Sequence, residues 1–316
     1  MIAPIALLVY AGVVATFGSY LLRKSAWPSR SPRWGIVAWQ ALVTSAISAV
    51  VLAGLALALP TMPLTTDIAA LLQACVMSLQ AQYATPGGAA LSSAGLLLAL
   101  TVLARVGYCL GAAFIGAARG RRQQLHALGL VARRHDRSGA LIIDHSTALA
   151  YCLPGRNREI VLTTGALDVL SEPEITAVLA HERAHLQGRH YLLLVLFSAL
   201  ERAFPRVPAF RHASFEVTRL VEMLADDMAT RGNDRLTLAT ALVRLAEGRT
   251  PAATLGAGGD TALTRVQRLL APANPIDHLR TACIVALTAG MLAIPATIVA
   301  APALVVAAAD YCPITI

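Results

Sequence analysis

Residues 181–190 of this 316-residue chain read His-Glu-Arg-Ala-His-Leu-Gln-Gly-Arg-His, a set of side chains able to bind a metal and move protons. Histidines at i and i+4 lie one above the other on a helical face, so His181 and His185 can reach one tetrahedral cation. Glu182, at the edge of that face, can take a proton from a water that zinc has acidified and pass it to a leaving amine. The chemistry implied is metal-assisted hydrolysis of a peptide bond. The competing reading is a charged structural helix. Against it stand the residues just upstream. Ser171, Glu172, Pro173 and Glu174 make a capping box with proline in the first turn. Ile175, Val178, Leu179 and Leu186 then recur at helical spacing, which predicts that both histidines lie inside a stable helix.

A zinc site needs a third protein ligand, and the sequence offers two. One follows the pattern HExxHxxGxxH, in which a glycine bend brings a later histidine round to the metal. Gly188 fits, but the expected position holds Tyr191, and His190 falls one residue early. The other is Glu222, in a stretch where Glu222 and Asp226 share a helical face. One carboxylate could bind the metal while the other hydrogen-bonds a ligating histidine. A helix with acids on its solvated side would read the same way, although the face continues into Ala225 and Ala229.

Residues 150–155 (Ala-Tyr-Cys-Leu-Pro-Gly), residues 159–167 (Glu-Ile-Val-Leu-Thr-Thr-Gly-Ala-Leu), HERAH, and the Glu222 to Asp226 pair together resemble the gluzincin membrane peptidases. The resemblance is nearest to the BlaR/MecR-type transducers, metallopeptidase family 56, and more distant to HtpX-type quality-control peptidases. It covers about residues 90–280. It implies one zinc ion per chain held by His181, His185 and Glu222, with Glu182 as general base and Asp226 steadying the site. It also implies a protein substrate, conceivably a transcriptional repressor of the BlaI/MecI type. The best-known transducers carry an extracellular penicillin-binding sensor domain after their last span, and none is expected here.

Composition sets the frame around this motif. The chain is 56% hydrophobic and 14% charged, with a mean hydropathy of +0.62, which predicts an integral membrane protein. A formal charge of +8 could signal nucleic acid. The arginines, however, flank apolar runs or sit among acids, so topology accounts for them and no direct nucleic-acid contact is expected. Residues 2–22 form an uncharged run followed by Arg23, Lys24, Arg30 and Arg33, as in an uncleaved anchor whose N-terminus is outside. A second span is predicted to about residue 59, a third over 91–118 containing Arg105, and a fourth over 281–309. An arginine within a span must face protein, water or a pairing acid, or else snorkel.

The fold class expected is therefore a mainly α membrane protein. Four transmembrane helices would carry a cytoplasmic α+β gluzincin-type zinc peptidase domain between the third and fourth. The domain boundaries are 1–118, 119–280 and 281–316. Residues 61–90 would lie outside the plasma membrane with a short amphipathic helix, and both termini would be extracytoplasmic. Within the middle domain, 141–144, 148–153 and 160–164 read as strands. Such a sheet offers an edge at Ala148, Ala150 and Cys152 where an extended substrate could add as a further strand. Residues 191–204 read as either a core helix or a segment dipping into the inner leaflet. Residues 213–231 should be the helix of Glu222, Asp234 should cap another to about residue 247, and 249–259 should be a linker.

Arg265, on a basic helix over 261–270, is read either as a surface charge or as a catalytic group polarising the substrate carbonyl. The five cysteines form no CxxC pattern. Cys75 and Cys312 alone would lie outside, where a disulfide between them could persist. Partners expected are a protein substrate and the lipid bilayer, with a homo-oligomer left open. Two other functions stay in play: a quality-control peptidase for membrane proteins, and a membrane sensor or adaptor that keeps the zinc fold without turnover.

Overall fold

The structure is a computed structural model that describes residues 2–58, 77, 87–135, 139–155, 158–247, 258–272 and 276–311. The amphipathic segment expected near 61–90 and both Cys75 and Cys312 lie outside the described residues, as does nearly all of the 249–259 linker. Among the described residues, four helices are long and apolar enough to cross a membrane: α1 (Ile2–Lys24), α2 (Pro32–Ala58), α3 (Gly88–Val131) and α9, whose candidate span His278–Ala301 continues as helix to Tyr311. Helix α3 runs well past the predicted end at residue 118. Arg119, Arg121 and Arg122 mark where it leaves the apolar stretch, but charge does not break a helix. Gln123 to Leu128 are good helix formers. At about 1.5 Å per residue its 44 residues extend about 66 Å, roughly twice a bilayer core. Leu128 near its far end is buried against Leu153 and Val161 of the sheet, so the helix links the spans to the domain.

Helix α2 lies at the centre, packed on α1, α3 and α9. Gly54 and Gly95 let α2 and α3 approach so closely that a Cβ on either would collide with the other's carbonyl oxygen. Residues Tyr10 and Ser45 both direct their hydroxyls at the Met291 carbonyl, at 2.7 and 2.6 Å. That carbonyl lacks its usual partner because residue 295, one turn later, is proline and has no N–H. One orphaned group thus joins α1, α2 and α9.

The middle domain begins with a four-stranded sheet: β1 (Arg133–Arg134), β2 (Leu141–Ile143), β3 (Ala150–Leu153) and β4 (Glu159–Thr163), in the order β1-β2-β4-β3. Strands β2 and β4 are parallel and the other pairs antiparallel, with Ala150 opposite Leu162 and Cys152 opposite Ile160. Strand β1 has no apolar signal in the sequence. Arg134 there pairs with Glu159 at 3.0 Å. Ala148, expected in β3, precedes it. The Thr163 hydroxyl donates to the Thr147 carbonyl and accepts from Leu149 N–H, so a side chain adds to the one main-chain bond from Thr163 N–H to the Leu149 carbonyl there.

After a short helix over Thr164–Val169, the described residues form α4 (Glu172–Gln187), α5 (His190–Ala203), α6 (Pro208–Ala229), α7 (Arg235–Glu247) and α8 (Gly258–Leu270). The capping box of α4 forms as expected, with Glu174 accepting from the Ser171 N–H and hydroxyl at 2.7 and 2.8 Å. Asp234 caps α7 through the Thr237 N–H at 3.0 Å. Helix α5 is about 21 Å long, too short to cross a bilayer. One face of it is a core face: Phe197 and Leu200 are buried with Trp39 and Leu42 of α2 and with Phe210, Val217 and Leu220 of α6. Arg105, inside α3, donates its Nε–H to the Ala203 carbonyl at the end of α5, so it faces protein. Helix α6 starts five residues earlier than expected because Pro208 is well suited to a first helical turn. The domain is therefore packed directly on the spans.

Candidate metal centre

Helices α4 and α6 bring the metal-binding residue types together. His181 and His185 sit one turn apart on α4, their Nε2 atoms 3.1 Å from one another. From α6, Glu222 Oε2 is 3.5 Å from His181 Nε2, and Oε1 is 3.5 Å from His185 Nε2. Zinc bonds of about 2.0–2.2 Å in tetrahedral arrangement require donor atoms about 3.3 Å apart, so this donor set fits zinc closely. These three are the metal-competent cluster among the described residues. Asp226, one turn beyond Glu222, places Oδ1 3.0 Å from His181 Nδ1. The contact is an ion-pair distance with poor hydrogen-bond alignment, and Nδ1 has no other partner.

His190 is not part of the cluster. Its Nδ1 lies 3.1 Å from Nδ1 of His185, on the side of that ring turned away from the other donors. The alternative third ligand suggested by Gly188 is thereby overturned: the turn after α4 folds His190 back behind His185 rather than round to its front.

Arg265 also departs from its surface-charge reading. Its side chain is only 11% exposed. Its Nε–H and one terminal amino group donate to the two Asp226 oxygens at 2.8 and 2.7 Å, and the other terminal nitrogen stands 2.9 Å from Glu222 Oε2. With all three nitrogens engaged, Arg265 is a clamp on the two carboxylates at the wall of the cavity. Arg268 repeats the arrangement one turn on, paired with Asp227 at 2.7 and 2.8 Å and donating to the Ser29 carbonyl between α1 and α2. The sequence carried a signal for this double clamp in the adjacent Asp226 and Asp227 and the paired Arg265 and Arg268.

The electrostatics follow from burial and these partners. Burial pushes the His181 ring down, but the Asp226 and Glu222 carboxylates outweigh it and hold the ring up at about 9. Burial drives His185 down to about 4. Burial alone would raise Glu222 and Asp226. The His181 contact with Arg265 behind it holds Glu222 at about 2, and Arg265 with His181 holds Asp226 well below the usual carboxylate range. Both acids are thus anionic at neutral pH, Glu222 among the metal-competent donors and Asp226 beside His181. Glu182 goes the other way, raised by burial, as suits a group that must accept a proton. The Cys152 thiol on β3 lines the same cavity as Glu182 and is pushed up to about 12, chiefly by burial and then by the nearby Glu182 charge.

Glu182, the three donor residues and Arg265 line one cavity of about 350 Å³. Its walls are Ala150, Tyr151 and Cys152 of β3 and apolar residues of α4, α5 and α7, among them Val178, Leu194 and Leu242. Strand β3 is the sheet edge on that side, paired with β4 alone among the described strands.

Comparison with known proteins points the same way. Residues 122–207 match the model of Peptidase family M48. Protease HtpX of Legionella pneumophila (strain Corby) is 45% identical over 65 residues, 20% of this chain and 23% of the relative. A Protease HtpX homolog of Ralstonia nicotianae (strain ATCC BAA-1114 / GMI1000) is 38% identical over 72 residues, 22% and 25% of the two chains. The chain thus spans about a quarter of the length of the curated relatives it matches. No solved structure matches it. Together the M48 match and the His–His–Glu cluster indicate a zinc metallopeptidase domain joined to candidate membrane spans. The matches are to the relatives that the sequence placed at the greater distance, and a BlaR/MecR-type assignment finds no support in them. The M48 match ends before α6, so Glu222, Asp226 and Arg265 rest on the geometry.

Proposed function

We propose that this chain is a membrane zinc endopeptidase that cleaves extended segments of proteins at or near the membrane. The observation that carries it is the meeting of HExxH and Glu222 at zinc spacing, with Glu182 in the same cavity as a free sheet edge. His181, His185 and Glu222 would hold the ion, and bound zinc supplies a Lewis acid for the scissile carbonyl and makes water nucleophilic at neutral pH.

The rest is done by this chain. An extended peptide adds to β3 at Ala150 and Cys152 by main-chain hydrogen bonds, which sets its carbonyl over the cavity. Glu182, raised by burial, accepts the proton released as water attacks and returns it to the departing amine. Asp226 and Arg265 work through their neighbours, fixing His181 and Glu222.

The basic residues at the end of α1 and the arginines where α3 leaves its apolar stretch favour a cytoplasmic domain with extracytoplasmic termini. The packing of α5 and α6 on α2 keeps the cavity close to the spans, which favours membrane-embedded or membrane-tethered substrates and agrees with the HtpX likeness. Repressor cleavage in signal transduction is the reading that the family-56 resemblance offers, and a non-catalytic adaptor is the third.

The deciding test uses the full chain in detergent or liposomes. Glu182→Gln should retain about one zinc per chain and lose cleavage of unfolded membrane proteins, typically by 10²- to 10⁴-fold for a lost general base. Undiminished turnover would refute the assignment, and cleavage confined to a repressor would replace the quality-control substrate class.

A further inference from the structure

His190 is a buried titratable side chain that the mechanism above does not use. Helix α4 ends at Gly188, and Arg189 adopts the left-handed conformation at φ 48°, so the chain reverses and α5 begins with His190 tucked behind the last turn of α4. A Cβ on Gly188 would fall 2.3 Å from Nε2 of His190 and 2.6 Å from its Cδ2, so only glycine leaves room for the ring there. His190 is 2% exposed, its ring edge-on to that of His185 with centroids 4.9 Å apart.

The two Nδ1 atoms, 3.1 Å apart, can share only one proton in a hydrogen bond between neutral rings. For His185 to present a lone pair from Nε2 to a cation, its proton must sit on Nδ1. His190 must then be the acceptor, with its own proton on Nε2. A ligating histidine is oriented by what its other nitrogen meets, and for His181 the neighbour on that side is the Asp226 carboxylate at 3.0 Å. Among the described residues, the recorded partner of His185 Nδ1 is His190, not a carboxylate.

We propose that His190 is a positioning residue for the metal ligand His185: it accepts the His185 Nδ1–H and so sets the tautomer and ring plane that aim Nε2 at the cation. The inference rests on the zinc reading of the cluster and adds to it the group that orients the second histidine.

Two substitutions of similar size separate orientation from packing. Asparagine places an oxygen where Nδ1 stood, whereas glutamine carries its polar atoms out toward the position of Nε2. Zinc affinity of the full chain in detergent is measured by competition with a chelator, with the absorption spectrum of the cobalt-loaded protein as a second readout. His190→Gln should weaken zinc about 10- to 100-fold and alter the cobalt bands, whereas His190→Asn should stay within about threefold of wild type. Equal affinities in both variants, whether unchanged or equally weakened, would overturn the proposal. A wild-type chain without zinc affinity would instead overturn the parent reading and this inference with it.

Discussion

Removing Arg265 should cost this protein more than its position on a short basic helix would suggest. Asp226 is 1% exposed, and its two oxygens accept from Arg265 at 2.8 and 2.7 Å. Its remaining neighbour is His181 at 3.0 Å, poorly aligned. In Arg265→Ala the carboxylate stays buried and loses both charge-assisted hydrogen bonds, while Glu222 loses its contact at 2.9 Å. Stranding one partner of a buried pair costs about 3–5 kcal/mol, or roughly 150- to 5,000-fold in the folded-to-unfolded ratio. Lysine is a point charge that cannot match the fork, so Arg265→Lys should lose about half as much. Asp226→Ala combined with Arg265→Ala should be less unstable than Arg265→Ala alone, because no charge is then stranded.

The assay is denaturant unfolding of the metal-free full chain in detergent, followed by tryptophan fluorescence, with Trp39 buried at the junction of α2, α5 and α6 as reporter. The sign with pH is fixed by Asp226. Its folded pKa is depressed, so the stabilisation from Arg265 is complete above the ordinary aspartate value and fades as pH falls through the folded one. The gap between wild type and Arg265→Ala should therefore narrow in acid. A gap under about 0.5 kcal/mol at neutral pH, the usual range for a surface substitution, would refute the clamp.

Further outcomes follow from the same geometry. His181 must lose its proton to bind metal and holds it to about 9 in the free protein, so apparent zinc affinity should rise about tenfold per pH unit up to that value. Chelator competition at several pH values checks this, and a flat profile would contradict it. The metal-free fold runs the opposite way, because a raised histidine stabilises fully below its ordinary value and the benefit is lost as pH climbs through about 9. Among the spans, Tyr10→Phe should destabilise by about 0.5–1.5 kcal/mol, and less once Pro295→Ala has restored an N–H to the Met291 carbonyl. Thermal unfolding in detergent would show it, and equal losses in both backgrounds would discount the shared carbonyl.

Some of this protein was legible in the chain because the forces involved are local. The capping box, the i to i+4 histidines and the apolar period of α4 act within a few residues, so the helix and its two imidazoles could be read directly. The four spans declare themselves by hydropathy, since a bilayer demands long uncharged helices whatever packs beside them. Helix ends were less readable: α3 continues past its arginines because solvated charge and helical backbone are compatible, and its end is held by distant Leu153 and Val161.

What the tertiary structure alone decided is which polar groups end up together. His190 and Glu222 were both credible third ligands by type and spacing. A left-handed Arg189 turned one behind the site, and α6 packing on α4 delivered the other to the front. Arg265, 39 positions from Asp226, looked like any surface arginine until folding buried it on that carboxylate. Pairing of charges across such distances depends on how helices dock. That is set by the whole apolar core of α2, α5 and α6, and no short stretch of sequence encodes it.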